Sequence, residues 1–551
     1  MKSLKWEVIT ISKNDEAENQ SLASLGQELT QAREQAQRTE RQLTGNPLNE
    51  GLEPYYIEYT DKPDNSISPD ELKEYNNKIN ATTPSWLNIF FSWKGSKRDP
   101  YLAFNSKIDY VKLGKLFLEN NHMQAFTGLE TGALYHADTG SWTIFKGKEC
   151  SKQINSIVTT TLTEWGAYTS YDVLETNKFI TNIMYDTSVK HNPFELAKPY
   201  LVPFTNGTYN MEEDHLEEPK PENYLLSGHD YDLELSDEPT PATDQYLKAS
   251  IGDAITYFKE YIGYGFYHSY KPFQQILFLH GDGGEGKSTL LGMLINHFYG
   301  SENVSAVPPE DLAGDNSRFE PAQLYGKEVN IVSDIAKGYL ANTAILKKLS
   351  GGEDYTKAEF KGQQNFKFVN HAKMIFSAND LPTFSETVGG FKDRLKVIEF
   401  INGDTRHNPE WWEQFDFRAI DDEHSRFVYQ CMKLFMEAKA KHHMTETESM
   451  KQAAGEWISE NDHFGQFIEE ACILTPNDNK GESSTDVVAE YKAFCAKNNY
   501  SENTSTQAIT SKLKPLGILK RRSRLGYSGT GNVNRYMGLK LTKTYLLDEE
   551  Q

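Results

Sequence analysis

Short apolar runs and longer mixed stretches alternate through the middle of the chain. Ile276-Leu277-Phe278-Leu279, Val329-Asn330-Ile331-Val332-Ser333, Met374-Ile375-Phe376-Ser377-Ala378 and Lys396-Val397-Ile398-Glu399-Phe400 have the length and content of strands, whereas Ala242 to Tyr264 and Arg426 to Ala440, continuing to Glu460, carry helical spacing. Earlier, between Val111 and Pro199, helix-like pieces such as Ser151 to Trp165 alternate with strand-like pieces such as Ser141 to Phe145, which reads as a mixed or mainly helical domain. Pro203 to Asn210 reads as strand, turn, strand, and the acidic, Pro-rich Glu212 to Pro241 as a connector ending at a boundary near residue 245. Glu16 to Leu43 has only a thin stripe of Leu22, Leu25, Leu29, Ala32 and Ala36, fitting a solvated helix, a short coiled-coil arm or a polar extension. The fragments from Tyr55 to Tyr110 are rich in aromatic residues, with a loop at Lys94-Gly95-Ser96-Lys97-Arg98-Asp99-Pro100, and carry no motif.

At 551 residues the chain is too long for one core. The pattern divides it into a polar extension (1–50), an uncharacterised region (51–110), a helical or mixed segment (111–245), an α/β core (246–405), a helical connector (406–460) and a C-terminal module (461–551). No stretch of about 20 apolar residues occurs, so a membrane partner is not expected and a cytoplasmic location is. Cys150, Cys431, Cys472 and Cys495 are scattered without a CxxC pair, which argues against zinc and disulfides. The net charge of −22 would by itself repel nucleic acid.

The distribution of charge changes that picture. Between Asn503 and Leu547 there is no acid, while Lys520, Arg521, Arg522, Arg524 and Arg535 fall there with four further lysines, an electrostatic footprint for phosphate. Helices at Ser484 to Lys497 and Ser505 to Lys514, a strand at Gly517 to Arg522, a Gly/Ser loop and a strand from Arg535 follow the order of a winged helix. A disordered basic tail or a protein-contact module are the alternatives.

The chemistry concentrates in Gly281-Asp282-Gly283-Gly284-Glu285-Gly286-Lys287-Ser288, set between a strand and an apolar helix. This is a P-loop: backbone N–H groups surround phosphate oxygens, Lys287 reaches the β/γ-phosphates, and Ser288, followed by Thr289, gives a hydroxyl to Mg²⁺. ATP and Mg²⁺ are the expected cofactors. Asp334 follows the second strand, where a carboxylate holds the metal, and Asn379 follows the third, placed to orient the attacking water. Arg394 suits an arginine finger acting on a neighbouring subunit's γ-phosphate.

On these residues the chain resembles the superfamily III helicases, within them the phage and plasmid primase-helicase group related to poxvirus primase-helicases. Further marks are Val202-Pro203-Phe204-Thr205-Asn206-Gly207, Asn316-Ser317-Arg318-Phe319, Leu324-Tyr325-Gly326-Lys327 and Leu346 to Glu353. The resemblance implies a multidomain α/β protein: an AAA+ core behind a mainly helical N-terminal helicase segment, with a C-terminal winged helix. It also implies a homo-hexameric ring translocating 3′→5′ on single-stranded DNA, a duplex contact through the tail, and a primase or other replication protein as partner. Tyr355 to Phe368 reads as the hairpin that such rings project into their channel, with Lys357 and Lys361 on phosphate. About 110 residues precede the matched region, too few for the family's primase domain. The expected function is therefore an ATP-dependent replicative DNA helicase of a phage, plasmid or mobile element, acting in a bacterial host. The alternatives are an ATP-assembled DNA-binding regulator and an RNA-stimulated NTPase.

Overall fold

A computed structural model describes residues 46–545 apart from 55–62, 127–128, 272, 314–318, 336–337, 341–342, 361–364, 385–389, 499, 501 and 530. The polar N-terminal stripe, Lys361 and the Asn316 to Arg318 part of one motif lie outside those residues. The chain divides into two units, one running to His136 and including Trp142–Phe194, the other comprising Ala137–Ser141 and everything from Glu195.

The first unit begins with helix α1 (Pro69–Asn80), started by a Ser68/Glu71 capping box, and an antiparallel hairpin of strands β1 (Leu87–Ser96) and β2 (Asp99–Ile108). Three helices, Tyr110–Asn120, Glu149–Glu164 and Ser170–Ile183, then pack around Leu113, Phe117, Ile154, Val158, Leu162 and Ile180. The region 51–110, which carried no motif, thus holds an α-β-β unit.

The second unit is built on a parallel sheet of β3 (Ile276–His280), β4 (Val304–Ser305), β5 (Val329–Val332), β8 (Lys373–Ala378) and β9 (Leu395–Glu399), in the order β4-β5-β8-β3-β9. An antiparallel hairpin, β6 (Tyr355–Glu359) with β7 (Asn365–Val369), precedes β8. A parallel sheet must be covered on both faces, and the alternation within each run does this. Leu277, Leu279, Ile331 and Ile375 face one core, while Ile276, Phe278, Met374 and Phe376 face another.

The connector expected after residue 405 closes both cores. Helix α3 (Phe417–Lys441) adds Phe427, Cys431 and Phe435 to the first, and Trp457 of the following helix enters the second. The acidic stretch 212–241 is likewise packed, not free. Tyr231 Oη donates to Phe298 O at 2.8 Å, Glu234 N to Ser425 Oγ at 2.8 Å, and Asn303 Nδ2 to Gly228 O at 2.8 Å. Its acids sit outermost while Leu225, Leu233 and His229 point inward, which a composition count does not resolve.

The C-terminal module places β10 (Gly481–Ser483), α4 (Ser484–Lys497), α5 (Thr506–Leu513), β11 (Leu519–Ser523) and β12 (Val533–Met537) around Phe467, Tyr491, Phe494, Ile509 and Tyr536. Its antiparallel sheet has the order β10-β12-β11. Among the described residues no helix is long and apolar enough to cross a membrane.

Candidate nucleotide site and nucleic-acid interface

Strand β3 ends at His280 and the chain turns through glycines with φ of +104° at Gly283, +92° at Gly284 and +88° at Gly286 before helix α2 (Lys287–Met293). These left-handed values favour glycine, and a Cβ on Gly286 would also stand 2.9 Å from the Trp412 ring. A loop that offers N–H groups inward must satisfy its carbonyls outward. The segment after β9 does so. Thr405 gives Gly284 O two bonds, from its N at 2.9 Å and its Oγ1 at 2.8 Å. Asn402 Nδ2 bonds Glu285 O at 2.8 Å, and Trp412 Nε1 fixes Thr405 O at 3.0 Å.

Inside the turn sits a carboxylate of the same loop. Glu285 accepts from Gly283 N through both oxygens, at 2.8 and 2.9 Å, and from Lys287 Nζ at 2.9 Å, while Lys287 also donates to Gly281 O at 2.8 Å. Both side chains are buried, Glu285 3% and Lys287 7% exposed. Burial pushes the Glu285 carboxyl up, but the Lys287 ammonium and the loop N–H groups outweigh it and hold the group below the usual carboxylate range. The cradle therefore holds an anion, the loop's own carboxylate. A triphosphate bound in the same place would have to displace it. Glu285→Gln, which removes the competing charge, is expected to tighten ATP binding about tenfold, since a charge-assisted bond is worth about 1.5–3 kcal/mol. Titration with a fluorescent ATP analogue measures this, and unchanged affinity would show that the carboxylate does not compete.

The other expected residues fall along the same edge. Val332 pairs with Phe376 and His280 with Ala378, so two further residues bring Asp334 level with Ala378 and one brings Gly281 level with Asn379. Ile335 N donates to Ser377 O at 2.9 Å, tying the Asp334 tip to β8. A Cβ on Gly283 would stand 3.5 Å from Asn379 Nδ2, so that amide lies against the loop. Asp282, Ser288, Thr289, Asp334 and Asn379 are exposed at this edge. Ligands of open parallel sheets bind beyond the strands' carboxyl ends. Arg406, which the sequence reading did not single out, is also here: its guanidinium crowds Gly284 and pairs with Asp404 at 2.8 Å, holding that carboxyl down to about 2.

Arg394 is not brought to this edge. It precedes β9, and its guanidinium bonds Lys347 O, Ser350 Oγ at 2.8 Å and Gln274 Oε1 at 3.0 Å within its own chain. Arg535 is a correction. Expected on DNA, it is 2% exposed and its guanidinium holds Ser523 O, Gly481 O, Gly529 O and Gly531 O. A planar fork with five N–H groups suits a turn's carbonyls as well as it suits phosphate. Arg521, Arg522 and Arg524 are exposed and Lys520 half-buried. Lys357 is exposed on β6 directly opposite Lys367 on β7, a like-charge pair that costs stability unless an anion faces it.

The strand tips, the glycine turn and the N–H of Gly283 that holds Glu285 give this edge the form of a P-loop. Residues 124–258 match the family described as D5 N terminal like, and residues 279–394 a family of unknown function, DUF5906. No curated protein matches. Solved structures that resemble it include the apo NrS-1 C terminal region, at 14% identity and a TM-score of 0.41 over 78% of this chain and 100% of that one. The same region's 305–718 form gives 15% and 0.36 over 66% and 83%. A JCV helicase with a bound thiazolopyridine acetamide gives 12% and 0.19 over 40% and 65%. The chain thus carries a segment similar to the D5 N terminal like family ahead of the glycine turn, and the turn itself lies inside the DUF5906 match.

Proposed function

We propose that this chain is an ATP-dependent DNA helicase of a phage, plasmid or mobile element, assembling as a ring, usually hexameric, and acting in replication initiation with 3′→5′ polarity. The observation that carries the reading is the anion cradle of Gly283, Glu285 and Lys287 on the same edge as Asp334 and Asn379. In this reading Lys287 leaves Glu285 for the β/γ-phosphates and Asn379 orients the attacking water. The hydroxyl of Ser288 and the carboxylate of Asp334 are hard oxygen donors that fit Mg²⁺, which when bound neutralises charge on the phosphates. Arg394 would serve a neighbouring protomer's γ-phosphate by giving up internal acceptors such as Lys347 O, Ser350 Oγ and Gln274 Oε1.

The helix-strand-helix-helix-strand-loop-strand order of the C-terminal module supports a winged helix that docks on duplex DNA, with α5 toward the groove and the loop before β12 as wing. Replacing Arg521, Arg522 and Arg524 together by Ala is expected to weaken duplex binding at all sequences and reduce the salt slope by about 2–3. Arg535→Ala is expected instead to lower the module's unfolding midpoint. Fluorescence anisotropy across a salt series with thermal melts separates the two outcomes.

The deciding experiment for the whole reading is ATP hydrolysis with and without single-stranded DNA, set beside unwinding of a forked duplex. Strand separation supports a helicase. Hydrolysis or assembly without separation would point to an ATP-assembled regulator, and stimulation by RNA alone to an RNA-dependent NTPase.

A further inference from the structure

The β1–β2 hairpin has two unlike faces. Directly opposed residues share a face, so Leu87, Ile89, Phe91 and Leu102 lie on one side, where α1 covers them with Leu72, Tyr75 and Ile79. The outer edge of β1 is closed as well: Asn76 and Asn80 of α1 exchange side-chain bonds with the N–H and C=O of Phe91 and Ile89, at 2.7 to 3.0 Å. An asparagine pair thus replaces a third strand at that edge; the first face stays open only toward its far end, at Trp93 and Phe104, whereas the second face has no helix over it among the described residues.

That second face carries Phe90, Lys94, Tyr101 and Lys107 with the amides Asn88 and Asn105. Tyr101 is 53% exposed and stands directly opposite Lys94; Lys94 and Lys107 are exposed and Phe90 half-buried. Lys97 and Arg98 continue the charge into the turn. Between Leu87 and Ile108 the only acid is Asp99, against Lys94, Lys97, Arg98 and Lys107, in a chain of net charge −22. The helix on the covered side bears Asp70, Glu71 and Glu74 beside Lys73 and Lys78, so the excess of positive charge belongs to the hairpin.

We propose that this open face binds single-stranded DNA, its bases stacked on Phe90 and Tyr101 and its phosphates held by Lys94, Lys97, Arg98 and Lys107. Phe90 and the Lys94–Tyr101 row are four residues apart along β1, about 13 Å at ~3.3 Å per residue, so the two rings serve different bases of one strand. Aromatic faces accept any base and lysines follow the backbone, which gives binding without sequence preference. A duplex, whose bases are stacked on each other, offers this surface only phosphates. The site is separate from the nucleotide cradle and does not rest on the helicase reading.

Anisotropy of the full chain with a labelled oligo(dT) of about fifteen residues, without nucleotide, tests this. The measurement is repeated in the Lys287→Ala and the Lys357→Ala/Lys367→Ala chains, so that failure of the ATPase reading and binding by the other hairpin are read separately. Tyr101→Ala is expected to weaken binding about tenfold, Tyr101→Phe to leave it unchanged, and Lys94→Glu to weaken it with a shallower salt dependence. Thermal melts check that each variant folds, as exposure of these side chains leads one to expect. Wild-type affinity in both Tyr101→Ala and Lys94→Glu, a loss of duplex affinity in Tyr101→Ala as large as its loss for oligo(dT), or a preference for oligo(rU) would each overturn the proposal.

Discussion

Lys287→Ala is expected to abolish measurable ATP hydrolysis, a loss in kcat of at least about 10²–10³, while duplex binding through the C-terminal module stays at the wild-type level. Lys287 is the cradle's ammonium, buried against the turn with Glu285 and Gly281 O as its partners among the described residues. Removing it has two consequences that must be kept apart. The phosphates lose their nearest positive charge, and the buried Glu285 carboxylate loses its counter-ion, which can destabilise the loop independently of ATP. The double variant Glu285→Gln/Lys287→Ala separates them. It is expected to recover the unfolding midpoint but no hydrolysis, because a neutral amide in the cradle needs no ammonium beside it while the phosphates still do. Recovery of hydrolysis in the double variant would show that the lysine acts only as partner to Glu285 and that the P-loop reading is wrong. Malachite-green assays, thermal melts and anisotropy on one set of chains give all three readouts.

The parts of this site that the sequence shows are those written locally. A parallel strand buried on both faces needs a short apolar run, and the residue after it must lie at the sheet's carboxyl edge, so Gly281, Asp334 and Asn379 are placed by counting. What sequence does not show is who holds the loop's other side. Asn402, Thr405, Arg406 and Trp412 reach the glycines across more than a hundred residues of chain, and nothing in Ile401 to Trp412 marks them before the fold brings β9 beside β3. Arginines are the second blind spot. Arg535 reads as a phosphate contact because charge is visible in sequence while direction is not, and its guanidinium turns to carbonyls of its own module. The basic segregation of the tail, a property of the whole segment, survives that loss because Arg521, Arg522 and Arg524 remain exposed. The hairpin surface of β1 and β2 is unmarked for a further reason: its two faces interleave residue by residue, so the segment shows aromatic residues without a motif.

The largest stability effect is expected at the opposite edge of the sheet. Glu328 precedes β5 and is fully buried, with Oε1 3.1 Å from His229 Nε2 and 3.3 Å from His268 Nε2, while Ser227 Oγ lies 3.0 Å from the same His268 nitrogen. Its backbone O accepts from Lys373 N at 2.9 Å, and the Lys373 ammonium is bonded to His371 O and Tyr267 O beneath the Tyr264 ring. Residues from four separate stretches of chain therefore meet around one carboxylate. Burial pushes that carboxyl up, but His229 and then His268 outweigh it and bring it down to about 2. Desolvation, with the charges of His268 and Lys373, holds His371 well below the ordinary histidine value. Both shifts have one sign. A group whose folded pKa is depressed stabilises fully above its unfolded value and loses that contribution as pH falls. His371 therefore begins to destabilise the fold below about pH 6.5, and Glu328 adds to the loss from about 4.5 down toward 2. Glu328→Gln breaks a buried charged network from one side and is expected to cost about 3–5 kcal/mol at neutral pH. It should also flatten the lower part of the acid limb while the part set by His371 remains. Asp334→Asn makes the same chemical change at an exposed carboxylate and should leave stability within about 0.5 kcal/mol of wild type, serving as the control. Urea titrations at several pH values, following the transition of the unit that holds the parallel sheet, measure both effects. If Glu328→Gln unfolds where the wild-type chain does, the histidines are not held by that carboxylate, and the sheet's amino edge is secured by packing alone.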